Sequence, residues 1–128
     1  CILSDTGVDK QNSITLEYAD GKMAVLCSSL TAKSDRQGII SGDKGFMIVE
    51  NINNPQKVTI YDQDYQMTAV YECPKQITGY EYQVYASIEA LEYGWLESPY
   101  MPHQETLRIM QQMDELRKAW GVNYPSDK

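Results

Sequence analysis

Gly38-Ile39-Ile40-Ser41-Gly42-Asp43-Lys44-Gly45-Phe46-Met47-Ile48-Val49 is the stretch on which the fold turns. Two apolar, β-branched runs flank a charged pair that is bracketed by glycines. That order of residue types marks a tight strand-turn-strand unit. Downstream, Asn51 to Pro55 is turn chemistry, and Val58-Thr59-Ile60-Tyr61 and Met67-Thr68-Ala69-Val70-Tyr71 follow as two further strands separated by Asp62-Gln63-Asp64. Upstream, Ile14, Leu16 and Tyr18 alternate with Thr15 and Glu17, the period of a half-buried strand. Ala19-Asp20-Gly21 turns the chain, Lys22 to Leu30 returns it as a second hairpin arm, and Thr31 to Gln37 reads as a polar loop. Short strands at roughly ten-residue spacing, with no helix between them, predict an antiparallel meander through about residue 72.

The period changes near Thr78. Thr78-Gly79-Tyr80-Glu81 has the spacing of a capping box, with the threonine hydroxyl and the glutamate each answering an orphan amide. Tyr80, Val84, Ile88 and Leu91 recur at helical spacing, and Gly94 is placed to end a helix of some fourteen residues. A second helix is expected after Pro99 and Pro102, a proline being well tolerated in its first turn. Ile109, Met113, Leu116 and Trp120 form its apolar stripe, Asp114 and Lys118 pair across one turn, and Gly121 stops it. The expected fold is therefore α+β: a mainly antiparallel open sheet of five or six strands, with both helices packed on one face and the whole of 1–128 forming one domain.

Two helices cover one face only. If Ile14, Leu16, Phe46, Ile48, Val58 and Ile60 turn towards them, then Thr15, Met47, Val49, Thr59 and Tyr61 turn away, a set too apolar in places for free exposure. A second copy of the chain, meeting that face about a two-fold axis, is the expected partner; the plainer reading is a solvated face with scattered apolar residues.

Composition narrows the function. The 128 residues carry 18 acidic against 11 basic side chains, a net charge of -7, and no Lys/Arg cluster, which argues against nucleic acid and anionic lipid. No apolar run approaches the roughly 20 residues of a membrane span. Cys1, Cys27 and Cys73 form neither a paired framework nor a zinc motif, so reduced thiols and a cytoplasmic setting are expected, with Cys27 a small core residue. The chain opens on Cys1 without a signal-type segment, and is expected to be a truncated piece of a longer one.

The usual catalytic constellations are missing from the pattern. Gly42 and Gly45 are too isolated to cradle a phosphate. His103 is the only histidine and has no ligand partner at metal-binding spacing; a place near a substrate competes with a capping or surface role. No nucleophile elbow places a serine or Cys73 beside it, so a small hydrolase built on His103 is the weakest of the readings. Paired acids such as Glu89 and Glu92, or Asp114 and Glu115, suit a solvated helix face. The tyrosines, among them Tyr61, Tyr65, Tyr71, Tyr80, Tyr82, Tyr85 and Tyr93, suit either the rim of a small-molecule pocket or a wet subunit interface.

The ordered series from Ile40 to Val49, then Gly79-Tyr80-Glu81-Tyr82-Gln83-Val84, Gly94-Trp95-Leu96-Glu97-Ser98-Pro99, Met101-Pro102-His103-Gln104-Glu105-Thr106, Met113-Asp114 and Trp120-Gly121-Val122 resembles the C-terminal domain of the Gfo/Idh/MocA oxidoreductases. That family includes glucose-fructose oxidoreductase, inositol dehydrogenase and dimeric dihydrodiol dehydrogenases. The resemblance implies a two-domain enzyme, in which an N-terminal Rossmann domain holds NAD or NADP and this domain shapes the substrate pocket and makes the dimer. It implies that the catalytic lysine of a Glu-Lys-Pro motif lies upstream of the matched region; neither that motif nor the Gly-rich fingerprint occurs in these residues. Gln83 stands where such proteins often carry an acid. On this reading the chain holds no catalytic, cofactor-binding or metal residue of its own and transfers no hydride alone. His103 and Tyr80 are its substrate-adjacent candidates, and Thr15, Met47, Val49, Thr59 and Tyr61 its subunit face. The competing expectation is a free-standing α+β binding module without redox activity.

Overall fold

A computed structural model describes residues 1–124. Seven strands and two helices follow in the order β1 (Ile2–Leu3), β2 (Asp9–Glu17), β3 (Met23–Ser29), β4 (Gly38–Gly42), β5 (Gly45–Glu50), β6 (Lys57–Asp62), β7 (Met67–Glu72), α1 (Glu81–Glu92) and α2 (His103–Trp120). Every strand pairing is antiparallel. The class is α+β with open sheets, as the pattern predicts.

The single sheet of the sequence reading is instead two sheets, one of order β1-β2-β3 and one of order β4-β5-β6-β7. Strand spacing predicts pairing only between neighbours along the chain. Residues 30–37 pass from one sheet to the other through side-chain turns, in which the Ser29, Ser34 and Asp35 side chains accept backbone amides. The chain divides into two compact units, Ser34–Ser98 with the four-stranded sheet and α1, and Cys1–Lys33 with the segment from Pro99 on, which carries the three-stranded sheet and α2. Each unit thus holds one sheet and one helix, and neither helix contains a buried residue.

In the three-stranded sheet, β2 and β3 pair Ile14 with Leu26, Leu16 with Ala24 and Thr15 with Val25. Directly opposed residues share a face. Asn12, Ile14, Leu16 and Ala24 make a half-buried face, while Thr15, Met23, Val25 and Cys27 lie exposed on the other. The alternation read from the sequence is real here, and it also corrects one expectation: Cys27 is an exposed residue opposite Ser13, because it falls on the odd-numbered face. β1 and β3 are the edge strands, and Met-Ala-Val-Leu-Cys-Ser-Ser carries no charge along β3.

In the other unit, β4 and β5 close on Gly42 and Gly45 with Asp43-Lys44 between them, as expected. Gly45 has φ 143°, and a Cβ there would sit 2.0 Å from the Tyr61 carbonyl oxygen and 2.9 Å from Asp62 Cα. Only glycine lets β6 approach that closely. Glu50 and Lys57 end the β5–β6 ladder as a cross-strand ion pair of 2.7 Å, which raises the lysine above its ordinary value. The β6–β7 turn hangs on the Asp62 carboxylate, which accepts the amides of Asp64 and Gln66 at 2.9 Å each.

Helix α1 is shorter than expected, Glu81–Glu92, and its stripe is open to solvent: Tyr80, Val84, Ile88 and Leu91 are all exposed. Helix α2 begins after the N-cap Pro102 and ends on Gly121 in the left-handed region at φ 71°. Val122, whose amide donates to the Arg117 carbonyl at 2.9 Å, is 2% exposed and, with Thr59 at 6%, is one of two buried residues among those described. Ile109, Leu116 and Trp120 of the stripe are half-buried and Met113 is exposed. Asp114 pairs with Arg117 at 2.9 Å, one residue short of the expected Lys118, because a guanidinium three residues on reaches the carboxylate directly.

Gly45→Ala is expected to cost about 3 kcal/mol in urea melts, from the unfavourable φ together with the clash against β6. Gly42→Ala, whose Cβ would meet nothing nearer than the Gly45 carbonyl oxygen at 3.7 Å, is expected to stay within about 0.5 kcal/mol.

Candidate functional site

The start of α1 is built around one carboxylate. Glu81 accepts the amides of Ile77, Thr78 at 3.2 Å and Gly79 at 2.9 Å, and the Thr78 hydroxyl at 3.1 Å; Thr78 Oγ1 in turn accepts the Tyr80 amide at 3.2 Å. Only the glutamate half of the predicted capping box forms, taking three amides in place of one; the N-cap is Tyr80, and the Thr78 hydroxyl accepts the Tyr80 amide rather than that of Glu81. Those donors, the Ile77 amide first, pull the Glu81 carboxyl from its ordinary 4.5 down to about 2. The fold binds the ionised form, so the contribution is complete above 4.5 and is lost as pH falls through about 2.

Beside this cap, the β5–β6 turn reaches across to the same segment. Asn51 takes φ 52° and donates to the Asn54 carbonyl at 3.0 Å; Asn54 donates to the Thr78 carbonyl at 3.1 Å; Gln76 donates to Asn54 Oδ1 at 3.3 Å. Gly79, at φ 88°, has Asn54 Oδ1 and Gln76 Oε1 each 2.8 Å from where a Cβ would be. A side chain at 79 would push this amide cluster apart.

Tyr82, one residue into the helix from Glu81, turns its hydroxyl back onto the strand exit, donating to the Pro74 carbonyl at 3.0 Å with Cys73 Sγ at 3.4 Å. The hydrogen bond with Cys73, desolvation and the nearby negative groups push the phenol up to about 12. Tyr82 therefore stays protonated at neutral pH and acts as a hydrogen-bonding anchor. Sequence reading missed this contact, because the nine-residue separation across a loop follows neither strand nor helix periodicity.

The predicted site residues distribute as follows. Tyr80 is the N-cap of α1 and 70% exposed. His103 is the first residue of α2 and exposed, in the other unit. Of the five residues assigned to one sheet face, Thr15 lies in the three-stranded sheet, and the β5–β6 register divides the rest. Met47 opposes Ile60 and Val49 opposes Val58, whereas Ile48 opposes Thr59 and Phe46 opposes Tyr61. Met47 and Val49 thus share a face with Val58 and Ile60, and Thr59 and Tyr61 share the opposite face with Phe46 and Ile48. The sequence grouping fails because it assumed an even shift between strands that the Gly45-to-Asp62 pairing makes odd. Tyr61 stacks on Phe46 at 4.9 Å between ring centroids, and Tyr65 meets Phe46 edge-on at 5.7 Å. A second aromatic pair, Tyr93 and Trp95, stacks at the far end of α1. In the sequence Gly94 reads only as a helix stop, and nothing in the Tyr-Gly-Trp order fixes the two rings against one another.

These residues do not fit a dinucleotide site. Such a site uses a parallel strand-helix-strand unit and a free helix N-terminus for the pyrophosphate. Here all pairings are antiparallel, and the amides before α1 already hold the Glu81 carboxylate. Among the described residues no group of three or more His, Cys, Asp or Glu side chains is placed to hold a metal ion.

Expected on this geometry, Glu81→Gln flattens the loss of thermal stability seen on acidification from pH 4.5 towards 2, measured as Tm against pH beside the unsubstituted protein. An unchanged slope would remove Glu81 as the group that ties α1 to the loop.

Comparison with known proteins supplies a relation. The chain is 29% identical over 96% of its length to scyllo-inositol 2-dehydrogenase (NADP(+)) of Bacillus subtilis, covering 37% of that protein. It is 26% identical over 98% of its length to trans-1,2-dihydrobenzene-1,2-diol dehydrogenase of Mus musculus, covering 39% of it, and 30% identical over 96% of its length to the protein of that name from Xenopus laevis, again covering 39%. No family model and no solved structure matches. The chain thus spans well under half the length of these relatives, and across almost all of its own length it is similar to a C-terminal part of Gfo/Idh/MocA-type oxidoreductases.

Proposed function

We propose that the protein is an NAD(P)-dependent oxidoreductase of ring-shaped hydroxy compounds, a sugar, polyol or cyclic diol, and that this chain forms its substrate-side and subunit-joining domain. The observation that carries the reading is the span of the match: nearly the whole chain aligns with dehydrogenases named for scyllo-inositol and a dihydrobenzenediol, both six-membered rings with neighbouring hydroxyls. On this reading the cofactor is held by another part of the protein, which the wholly antiparallel pairing of the strands here supports. When bound there, NAD or NADP accepts the hydride; this chain's part is to bind and orient the ring.

Subunit joining is supported by the four-stranded sheet. The face carrying Met47 and Val49 continues through Ile40, which is exposed, to Val58 and Ile60. An apolar face of this kind is a fit for a second copy about a two-fold axis. Free Cys1, Cys27 and Cys73 agree with a reducing, cytoplasmic setting, and no helix among the described residues is long and apolar enough to cross a membrane.

The expected outcome is that the full-length protein reduces NAD or NADP with cyclic diols or inositols, followed by the absorbance of the reduced nicotinamide, while the 128-residue chain alone does not. A full-length protein inert with both cofactors across such a panel, yet still binding a polyol, would favour a binding module without redox chemistry. Met47→Asp is expected to convert the oligomer to monomer by light scattering, since a charge at a buried apolar contact goes unpaired; an unchanged mass places the subunit contact elsewhere.

A further inference from the structure

Helix α1 closes in a way that builds an exposed aromatic surface. The Gly94 amide donates to the Leu91 carbonyl at 3.2 Å and the Trp95 amide to the Ala90 carbonyl at 2.8 Å. These are the paired bonds of a Schellman closure, with Gly94 in the left-handed region at φ 67°. The turn brings Trp95 back along the helix end, and its ring lies on that of Tyr93 with centroids 5.0 Å apart and planes 19° from parallel. Tyr93 is 67% exposed and Trp95 41%. Stacking covers one face of each ring against the other and leaves outer ring surface bare.

Two large rings stacked on one another, on a backbone closed by hydrogen bonds, form a flat surface that needs little ordering before it binds. A surface of that kind suits a flat ligand with a weakly positive, apolar face, because the aromatic quadrupole is negative over the ring. A six-membered ring with equatorial hydroxyls has such a face. Its axial C–H bonds point to either side, while the hydroxyls spread around the rim where water or polar groups reach them. The acidic balance of the chain, 18 acidic residues against 11 basic, disfavours a phosphorylated or carboxylated ring in the same place.

We propose that the Tyr93–Trp95 stack is a platform on which a neutral, ring-shaped polyol or cyclic diol lies with its C–H face against the aromatic surface. The choice of ligand rests on the oxidoreductase reading above; the platform itself rests on the closure of α1. It makes Tyr93 and Trp95 binding residues, and Gly94 the position that holds them together.

The test uses the full-length protein. Trp95→Ala and Tyr93→Ala are each expected to raise KM for scyllo-inositol or a cyclic diol roughly tenfold, the equivalent of one aromatic contact. The same variants leave kcat, the KM for the nicotinamide cofactor and the KM for an open-chain diol within twofold, and Trp95→Phe restores most of the ring affinity. Gly94→Ala meets no neighbouring atom within 4 Å and acts only through the strained φ, so it is expected to weaken ring binding by a smaller factor. Unchanged KM in both alanine variants would overturn the platform and leave the oxidoreductase reading standing, as would a loss of oligomer mass with ring affinity intact, which would make the stack a subunit contact. Should the protein oxidise no ring compound, the indole resonance of Trp95 separates the two ideas. A shift on adding scyllo-inositol, and none with tetramethylammonium, keeps the platform without the redox reading; a shift only with the cation, or with neither probe, overturns it.

Discussion

The register of β5 against β6 is the constraint from which the rest follows. With Phe46 opposite Tyr61 and Met47 opposite Ile60, the run Phe46-Met47-Ile48-Val49 sends apolar side chains to both sides of the sheet, and β6 answers with Tyr61 and Thr59 on one side and Ile60 and Val58 on the other. Strands that alternate need cover on one side; strands that are apolar throughout need it on both. The contrast with β2 is plain, where Ile14 and Leu16 face one way and Thr15 and Glu17 the other. The four-stranded sheet thus carries apolar side chains on both of its faces.

Local chemistry then sets where each element stops. Glycine at 45 admits the neighbouring strand, an aspartate at 62 gathers the turn amides, and a glutamate at 81 gathers three amides before the helix. Each is a short-range arrangement of a few residues, and each was legible as turn or cap chemistry from the sequence. The hairpins at Asp43-Lys44 and Ala19-Asp20-Gly21 and the helix stops at Gly94 and Gly121 appear where the residue types put them. What the sequence did not carry was anything set at longer range. The separation into two sheets, the parity of the β5–β6 shift and the exposure of the α1 stripe depend on which surfaces meet, and periodicity describes only which surfaces exist.

The candidate site divides in the same way. Tyr80 and His103 were found at helix starts by proline, threonine and glutamate spacing, and the structure puts them at the N-cap of α1 and the first turn of α2. The anchor from Tyr82 to Cys73 and Pro74 crosses a loop and left no periodic trace. The stacked pair at Tyr93 and Trp95 is local, yet it became visible only with the ring planes, because the same letters would also serve a helix end with two unrelated aromatic side chains. Similarity to dehydrogenases over 96–98% of the chain is likewise a whole-sequence signal, which no single one of these residues carries.

The uncharged edge strand β3 has a practical consequence. A seven-residue rim of Met-Ala-Val-Leu-Cys-Ser-Ser lacks the lysines, prolines and bulges with which natural sheets discourage stacking into fibres. An uncharged rim favours ladder growth from strand to strand, and the net charge of -7 opposes it by repulsion spread over the whole surface.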